Sequence, residues 1–255
     1  MARNSRSSLP HAACKCMTLR WKIGALHMSN ESLVSARVAD AIGGAIVRGD
    51  YPAGSVLPSE LDLCEQFGVS RTGIREALKM LGSKKLISPR RRVGGIVNER
   101  SLWSLLDPDV LRWMRGAPTD MRLLKDLARL RLAIEPEAAR QAALHQDRAA
   151  IDAIRIAGEA MAADPAQALM ADIAFHVAVL RASGNRFFQA LGPMVESALA
   201  MSIPVTNEVK QVPKADILLH MAIHDAIRDG HADEAAERAH ELIAETVRLL
   251  ELAEG

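Results

Sequence analysis

The chain has 255 residues, 49% hydrophobic and 25% charged, the balance of a soluble globular protein with room for one small and one medium domain. Aromatic residues are only 3% and alanine is abundant beyond about residue 125, which favours helices packed through small side chains and argues against a β-sandwich. The net charge of +1 hides an asymmetry: residues 71–92 hold eight basic and one acidic residue while residues 101–255 hold 16 basic and 23 acidic, so a polyanion partner is expected at one place only.

Residues 1–27 carry five basic and no acidic side chains. They read as a disordered basic arm, or as a leader upstream of a start at Met28; the apolar stretch and cleavage site of a transit or signal peptide are missing. Cys14, Cys16 and Cys64 form neither a metal-type pair of pairs nor an even disulfide framework. No apolar run approaches a membrane span, and nothing requires an oxidising compartment, so a cytoplasmic protein is expected.

From Ser32 to Arg48 apolar residues recur at three and four (Leu33, Val34, Val38, Ala41, Ile42, Ala45, Ile46), the mark of one helical face, which Gly49 to Gly54 then stops. Ser59 is placed to cap a second helix with Leu61, Leu63, Cys64 and Phe67 inward, closed at Gly68. Ser70 opens a third, Arg71 to about Leu81, with Ile74, Ala77, Leu78 and Leu81 inward and Arg71, Thr72, Arg75 and Lys79 outward. Leu86–Ser88 and Ile96–Val97 read as two short strands around the basic, Gly-containing tip Arg90 to Gly95. Two helices joined by a tight glycine turn, followed by a basic hairpin, have the plan of a winged helix-turn-helix. Its second helix presents side chains to the major groove, and an arginine fork pairs there with a guanine edge or a phosphate.

A linker and short helix over 98–118 offer Trp103, Leu105, Leu106, Val110, Leu111, Trp113 and Met114 for docking. Six or so helices follow, with breaks expected at 116–118, near Gln146, at 164–165, 183–185, Ile203–Pro204 and 229–230, and no strand signal after Val97. The expected fold is therefore mostly α: a winged helix-turn-helix over 28–98, a linker and docking helix over 99–118, and an all-helical bundle for effector binding and dimerisation over 119–255.

Three polar pairs stand out in this second half. Arg131 and Glu135 lie four apart in an otherwise apolar helix, as do Asp172 and His176, and His220 and His224. A carboxylate and an imidazole at that spacing can aim at one cation, although alone each pair is more often a surface ion pair or a satisfied core histidine.

The stretch from Leu57 to Val97, with Leu-Pro-Ser-Glu at 57–60 and Ser-Arg-Thr-Gly-Ile-Arg-Glu-Ala-Leu at 70–78, resembles the winged helix-turn-helix of the GntR superfamily of bacterial regulators, in its FadR-type branch. The remainder looks like the FCD ligand-binding domain of that branch. The resemblance implies a dimeric transcription regulator, a repressor, on a double-stranded DNA operator. It would have Arg71 and Arg75 on DNA from the recognition helix, Ser59 and Thr72 assisting, and Arg92 and Gly94 in the wing. It also implies a small carboxylate effector near Arg131, Asp172, His176 and His220, with a divalent metal such as zinc on the last three. The family's fourth ligand falls on Leu242, and His240 is two residues, about 200°, off that position. A three-ligand site, a site completed by His224 and a metal-free site all stay open. Leu106 to Trp113 and the replaced last histidine are most similar to the galactonate-operon repressor group, which implies a sugar acid. A metal-dependent enzyme on the same three residues and a purely structural DNA-binding dimer are the alternatives; no dedicated base or nucleophile supports the first.

Overall fold

The computed structural model describes residues 31–90, 93–164, 166–210 and 216–254; the arm or leader over 1–27, Cys14, Cys16 and Arg92 lie outside them. Helix α1 (Glu31–Arg48) buries Val38, Ile42 and Ile46, and Leu33 at its start stays exposed. Helix α2 (Glu60–Phe67) begins with a reciprocal cap: Ser59 Oγ accepts from the Asp62 N–H and Asp62 Oδ2 accepts from the Ser59 N–H, both at 3.2 Å. It ends at Gly68, whose φ of 67° suits a residue without a Cβ. Helix α3 (Arg71–Ser83) starts on Ser70, whose Oγ accepts from the Gly73 N–H, and buries Ile74, Ala77 and Leu81 completely. One expected inward residue of α2 is exposed. Leu61 is two positions from buried Leu63, about 200° around the helix, and therefore faces solvent.

Strands β1 (Ile87–Arg90) and β2 (Val93–Val97) pair antiparallel, Ile87 opposite Val97 and Ser88 opposite Ile96, to form the wing. β2 is also tied to the segment ahead of α2. The Gly54 N–H donates to Val97 O, the Val97 N–H to Ser55 O and the Leu57 N–H to Gly95 O, so wing and α2 share an anchor that the sequence pattern did not announce. Gly95, at φ 137°, is the glycine this strand requires, because a Cβ there would meet Ser88 O and Ile87 Cδ1 at 3.2 Å.

After a 3-10 turn (Arg100–Leu102), Asp107 caps α4 (Pro108–Arg115) and also takes the Lys84 ammonium at 2.8 Å. Val110, Leu111, Trp113 and Met114 of α4 are buried as expected of a docking helix, but Leu105 and Leu106 are exposed, since they precede α4 and belong to no packed face. Trp113 lies on α1: its indole N–H donates to Asp40 Oδ1 at 3.1 Å, and a Cβ added to Gly43 would come within 2.6 Å of the ring. Gly43→Ala is accordingly expected to cost about 1–3 kcal/mol through overpacking and to shift tryptophan emission as the ring is displaced. Unchanged urea denaturation and emission would mean the α1–α4 contact is softer than this geometry.

The bundle comprises α5 (Met121–His145), α6 (Arg148–Ala163), α7 (Ala168–Ala182), a short α8 (Arg186–Ala190), α9 (Gly192–Lys210), α10 (Ile217–Arg228) and α11 (Ala232–Leu252). Fully buried Ala138, Ala139 and Ala142 of α5 share a core with Ala235 of α11, which lets these two helices pack closely, and Phe175, Leu180, Val195 and Ile227 fill the centre. The expected break at Ile203–Pro204 does not occur. Pro204 sits on the exposed face of α9, where the carbonyl freed by its missing N–H can be hydrated, and the helix runs on to Lys210. Met201 of α9 and Leu123 of α5 pack against both this core and that of α1–α4 or its neighbours. No helix among the described residues is long and apolar enough to cross a membrane.

Candidate functional site

Helix α7 turns Asp172 and His176 inward one turn apart, with His176 edge-on to the phenyl ring of Phe175, and α10 brings His220 against the same ring. The Nε2 atoms of His176 and His220 lie 3.3 and 3.6 Å from Asp172 Oδ1. The three residues, all buried, offer ligand atoms within 4.8 Å of one another. Each ring has its other nitrogen committed. His220 Nδ1 is 2.7 Å from the carbonyl oxygen of Asp216, which can only accept, so Nδ1 carries a proton and the neutral ring would present its Nε2 lone pair. His176 Nδ1 is 2.5 Å from Glu135 Oε2, and donation to that carboxylate leaves its Nε2 toward Asp172 in the same way.

Two imidazole nitrogens and a carboxylate oxygen in van der Waals contact repel unless a proton or a cation lies among them. His220 Nε2 and Asp172 Oδ1 are both buried without a hydrogen-bond partner. The two nitrogen–oxygen separations of 3.3 and 3.6 Å are near the edge of a zinc tetrahedron, roughly 3.4 Å for bonds of about 2.0–2.2 Å, and an N/N/O set suits a borderline divalent ion. Without a cation the proton fills the role. Burial alone lowers His176, but the Glu135 charge and the close approach of the Asp172 and Glu135 carboxylates outweigh burial and Arg131 and hold it above its ordinary value. Burial raises Asp172, and the two imidazoles more than offset it, leaving the carboxyl well below the usual range.

Arg131, 1% exposed, closes one end. Its Nε donates to Glu135 Oε1 at 2.6 Å and its Nη2 stands 3.3 Å from the His176 ring, while Nη1 is buried without a partner. Glu135 thus braces both Arg131 and His176. The spacing of Arg131 and Glu135 in an apolar helix marked the pair, but not the reach to His176, 41 residues on. Burial pushes Glu135 up, the Arg131 and His176 charges pull it down, and the balance lies at about 2 against an ordinary 4.5. A depressed carboxylate contributes stability that is complete above the unfolded value and lost as pH falls through the folded one. The urea midpoint is therefore expected to fall more steeply between pH 5 and pH 2.5 in the wild type than in Glu135→Gln; parallel curves would remove Glu135 from the account.

These groups face a cavity of about 150 Å³ whose wall includes Arg131, Asp172, His176, His220, Ser202, Thr206 and Leu242. Leu242, the position onto which the resemblance puts the family's fourth ligand, is part of the same wall. Neither histidine nearby replaces it: His240 is exposed on α11, and His224 is buried with Nδ1 3.0 Å from Asp225 Oδ1, away from the cavity. Of the arrangements left open by the sequence, completion by His224 is therefore set aside.

At the other end of the chain, Arg71 and Thr72 are exposed on the first turn of α3. Arg75, one turn on, is 67% exposed with its Nε 2.8 Å from Glu60 Oε2. Ser59 is half-buried and its hydroxyl is occupied with Asp62 in the cap of α2. Gly94 lies on β2, and Arg92 is outside the described residues.

The description "Bacterial regulatory proteins, gntR family" matches residues 34–97, and the FCD domain matches residues 126–245. The galactonate operon transcriptional repressor of Escherichia coli strain K12 is 35% identical over 219 residues, covering 84% of this chain and 95% of that protein. The Glc operon transcriptional activator of the same strain is 29% identical over 217 residues, 80% of this chain and 84% of that one. Among solved structures, Lar, which controls expression of the Listeria monocytogenes agr system, superposes with a TM-score of 0.59 at 15% identity. The match covers 86% of this chain and 96% of that one, a likeness of fold.

Proposed function

The chain belongs to the gntR family of bacterial regulatory proteins and is a DNA-binding transcription regulator with an FCD domain, and from that premise we propose that it is a cytoplasmic homodimeric repressor released from its operator by a sugar acid. In this reading residues 28–98 are the DNA-binding domain, 99–118 the docking segment and 119–255 the effector-binding and dimerisation domain. Arg71 and Arg75 read the operator with help from Ser59, Thr72 and the wing at Arg92 and Gly94, and two copies give a palindromic site its specificity.

The observation that carries the effector reading is that Arg131 Nη1, Asp172 Oδ1 and His220 Nε2, three buried polar atoms without partners, belong to residues of one cavity wall. Each such atom costs about 1–3 kcal/mol unless something occupies the space between them. Asp172, His176 and His220 would hold a divalent cation, which supplies Lewis-acid positions for carboxylate and hydroxyl oxygens. Arg131 offers a donor to the same carboxylate. The relative named for galactonate supports a sugar acid over other carboxylates.

Helix α9 connects the cavity to the docking segment: Leu199, Ser202 and Thr206 line the cavity, and Glu196 takes Arg115 of α4 at 2.9 Å. His220→Ala is expected to bind operator DNA as the wild type does but to stay bound when D-galactonate is added, measured by fluorescence anisotropy with and without chelator. A His220→Ala protein that releases DNA at wild-type concentrations of the acid would overturn the assignment.

A further inference from the structure

The cavity has two kinds of wall. Asp172, His176, His220 and Arg131 form a buried polar cluster in it, Lys210 and Asp216 add two further charged side chains, and α9 and α11 contribute Ser202, Thr206, Asn207 and Thr246 interleaved with Leu199 and Leu242. Ser202 is 3% exposed and belongs to the cavity wall. Thr206, 7% exposed, donates its hydroxyl proton to Ile203 O at 3.1 Å, so the lone pairs of its oxygen are the part left to face a ligand. The two residues are four apart and stand one turn above the other on the same face of α9. Hydroxyls buried in a cavity wall are costly to leave without a partner, and a ligand that donates or accepts hydrogen bonds along its length supplies one.

We propose that this face of α9 reads the hydroxyl groups of the effector, so that the cavity selects an extended polyhydroxylated acid over an acid with a plain hydrocarbon chain. The carboxylate end belongs with Arg131 and the Asp172, His176 and His220 cluster. Successive hydroxyls run along Ser202 and Thr206, Ser202 donating or accepting and Thr206 accepting. The C–H edge of the same chain lies against Leu199 and Leu242, which accounts for an apolar strip inside a site otherwise built from polar groups. Specificity of this kind is strong because a hydrocarbon chain would leave the buried hydroxyls unpaired. The inference rests on the reading of this cavity as an effector site.

The test uses the full chain and calorimetric titration with the six-carbon aldonates D-galactonate and D-gluconate beside hexanoate, which has the same chain length and no hydroxyls. At least one aldonate is expected to bind and hexanoate is not. Ser202→Ala and Thr206→Val are each expected to weaken the aldonate about three- to tenfold, the loss of one hydrogen bond, with melting temperatures near the wild type. Thr206→Ser should retain the wild-type affinity. Hexanoate binding as tightly as the aldonates, or wild-type aldonate affinity in both variants, would overturn the inference and leave a less selective carboxylate site standing. Binding of none of the three acids to the wild type would bring down the sugar-acid reading itself and the inference with it. The comparison of acids on the wild type needs no variant to fold.

Discussion

Arg75→Ala is expected to fold as the wild type does and to bind operator DNA about 30-fold to 10⁴-fold more weakly. The side chain is two-thirds exposed on α3 and takes no part in the core formed by Ile74, Ala77 and Leu81. Its one partner is Glu60 at the start of α2, and an exposed ion pair contributes about 0–1 kcal/mol, too little to unfold the domain. On DNA the balance differs: a bidentate arginine–guanine contact discriminates by about 1–3 kcal/mol per half-site, and a dimer loses it twice. In the proposed reading Glu60 holds the guanidinium beside α3 until a base edge or phosphate competes for it. The measurement is anisotropy at fixed salt on a duplex selected from a random pool, with circular dichroism to verify the fold. A folded variant with wild-type affinity and an unchanged salt slope would take Arg75 out of the interface.

How much of this could be read beforehand depended on the range of the interaction. Caps and glycine turns are local, so Ser59, Ser70 and Gly68 marked α2 and α3 correctly, and the basic hairpin was visible as a wing. Exposure was less legible where a helix is short or a residue lies just outside one, as Leu61, Leu105 and Leu106 show. Pro204 looked like a terminator because sequence alone does not say whether a proline faces solvent. The pairs Asp172–His176 and His220–His224 share one spacing, but four residues add about 40° of rotation and 6 Å of rise, and His224 turns to Asp225 instead of the cavity. The family resemblance, more than the spacing, selected Asp172, His176 and His220. Glu135 and Ser202 escaped as members of the site because their significance lies in what they face on other helices, His176 for Glu135 and the cavity for Ser202. Gly43 was silent for a related reason, being small only on account of Trp113, 70 residues later.

Arg131→Ala is expected to destabilise the protein by about 3–5 kcal/mol and to abolish the response to effector. The guanidinium is the buried counter-charge to Glu135, with Nε at 2.6 Å and side chains only 2% exposed on both sides. Removing it leaves a carboxylate inside the bundle with His176 as its remaining partner, and an uncompensated buried charge is the costly half of a broken pair. Adding Glu135→Met to an Arg131→Met chain removes both charges and fills the space with flexible apolar side chains. This double variant should recover much of the stability lost by either single variant, giving a coupling of opposite sign to simple addition. It should not recover the response, because the donor to the effector carboxylate and the brace on His176 are both gone. Urea denaturation of the four proteins supplies the cycle, and anisotropy with D-galactonate supplies the response. An Arg131→Ala protein within about 1 kcal/mol of the wild type would show that water, or a shifted His176, neutralises Glu135 more cheaply than the packed geometry allows. A double variant that still released DNA on adding the acid would place the effector's carboxylate elsewhere than on Arg131.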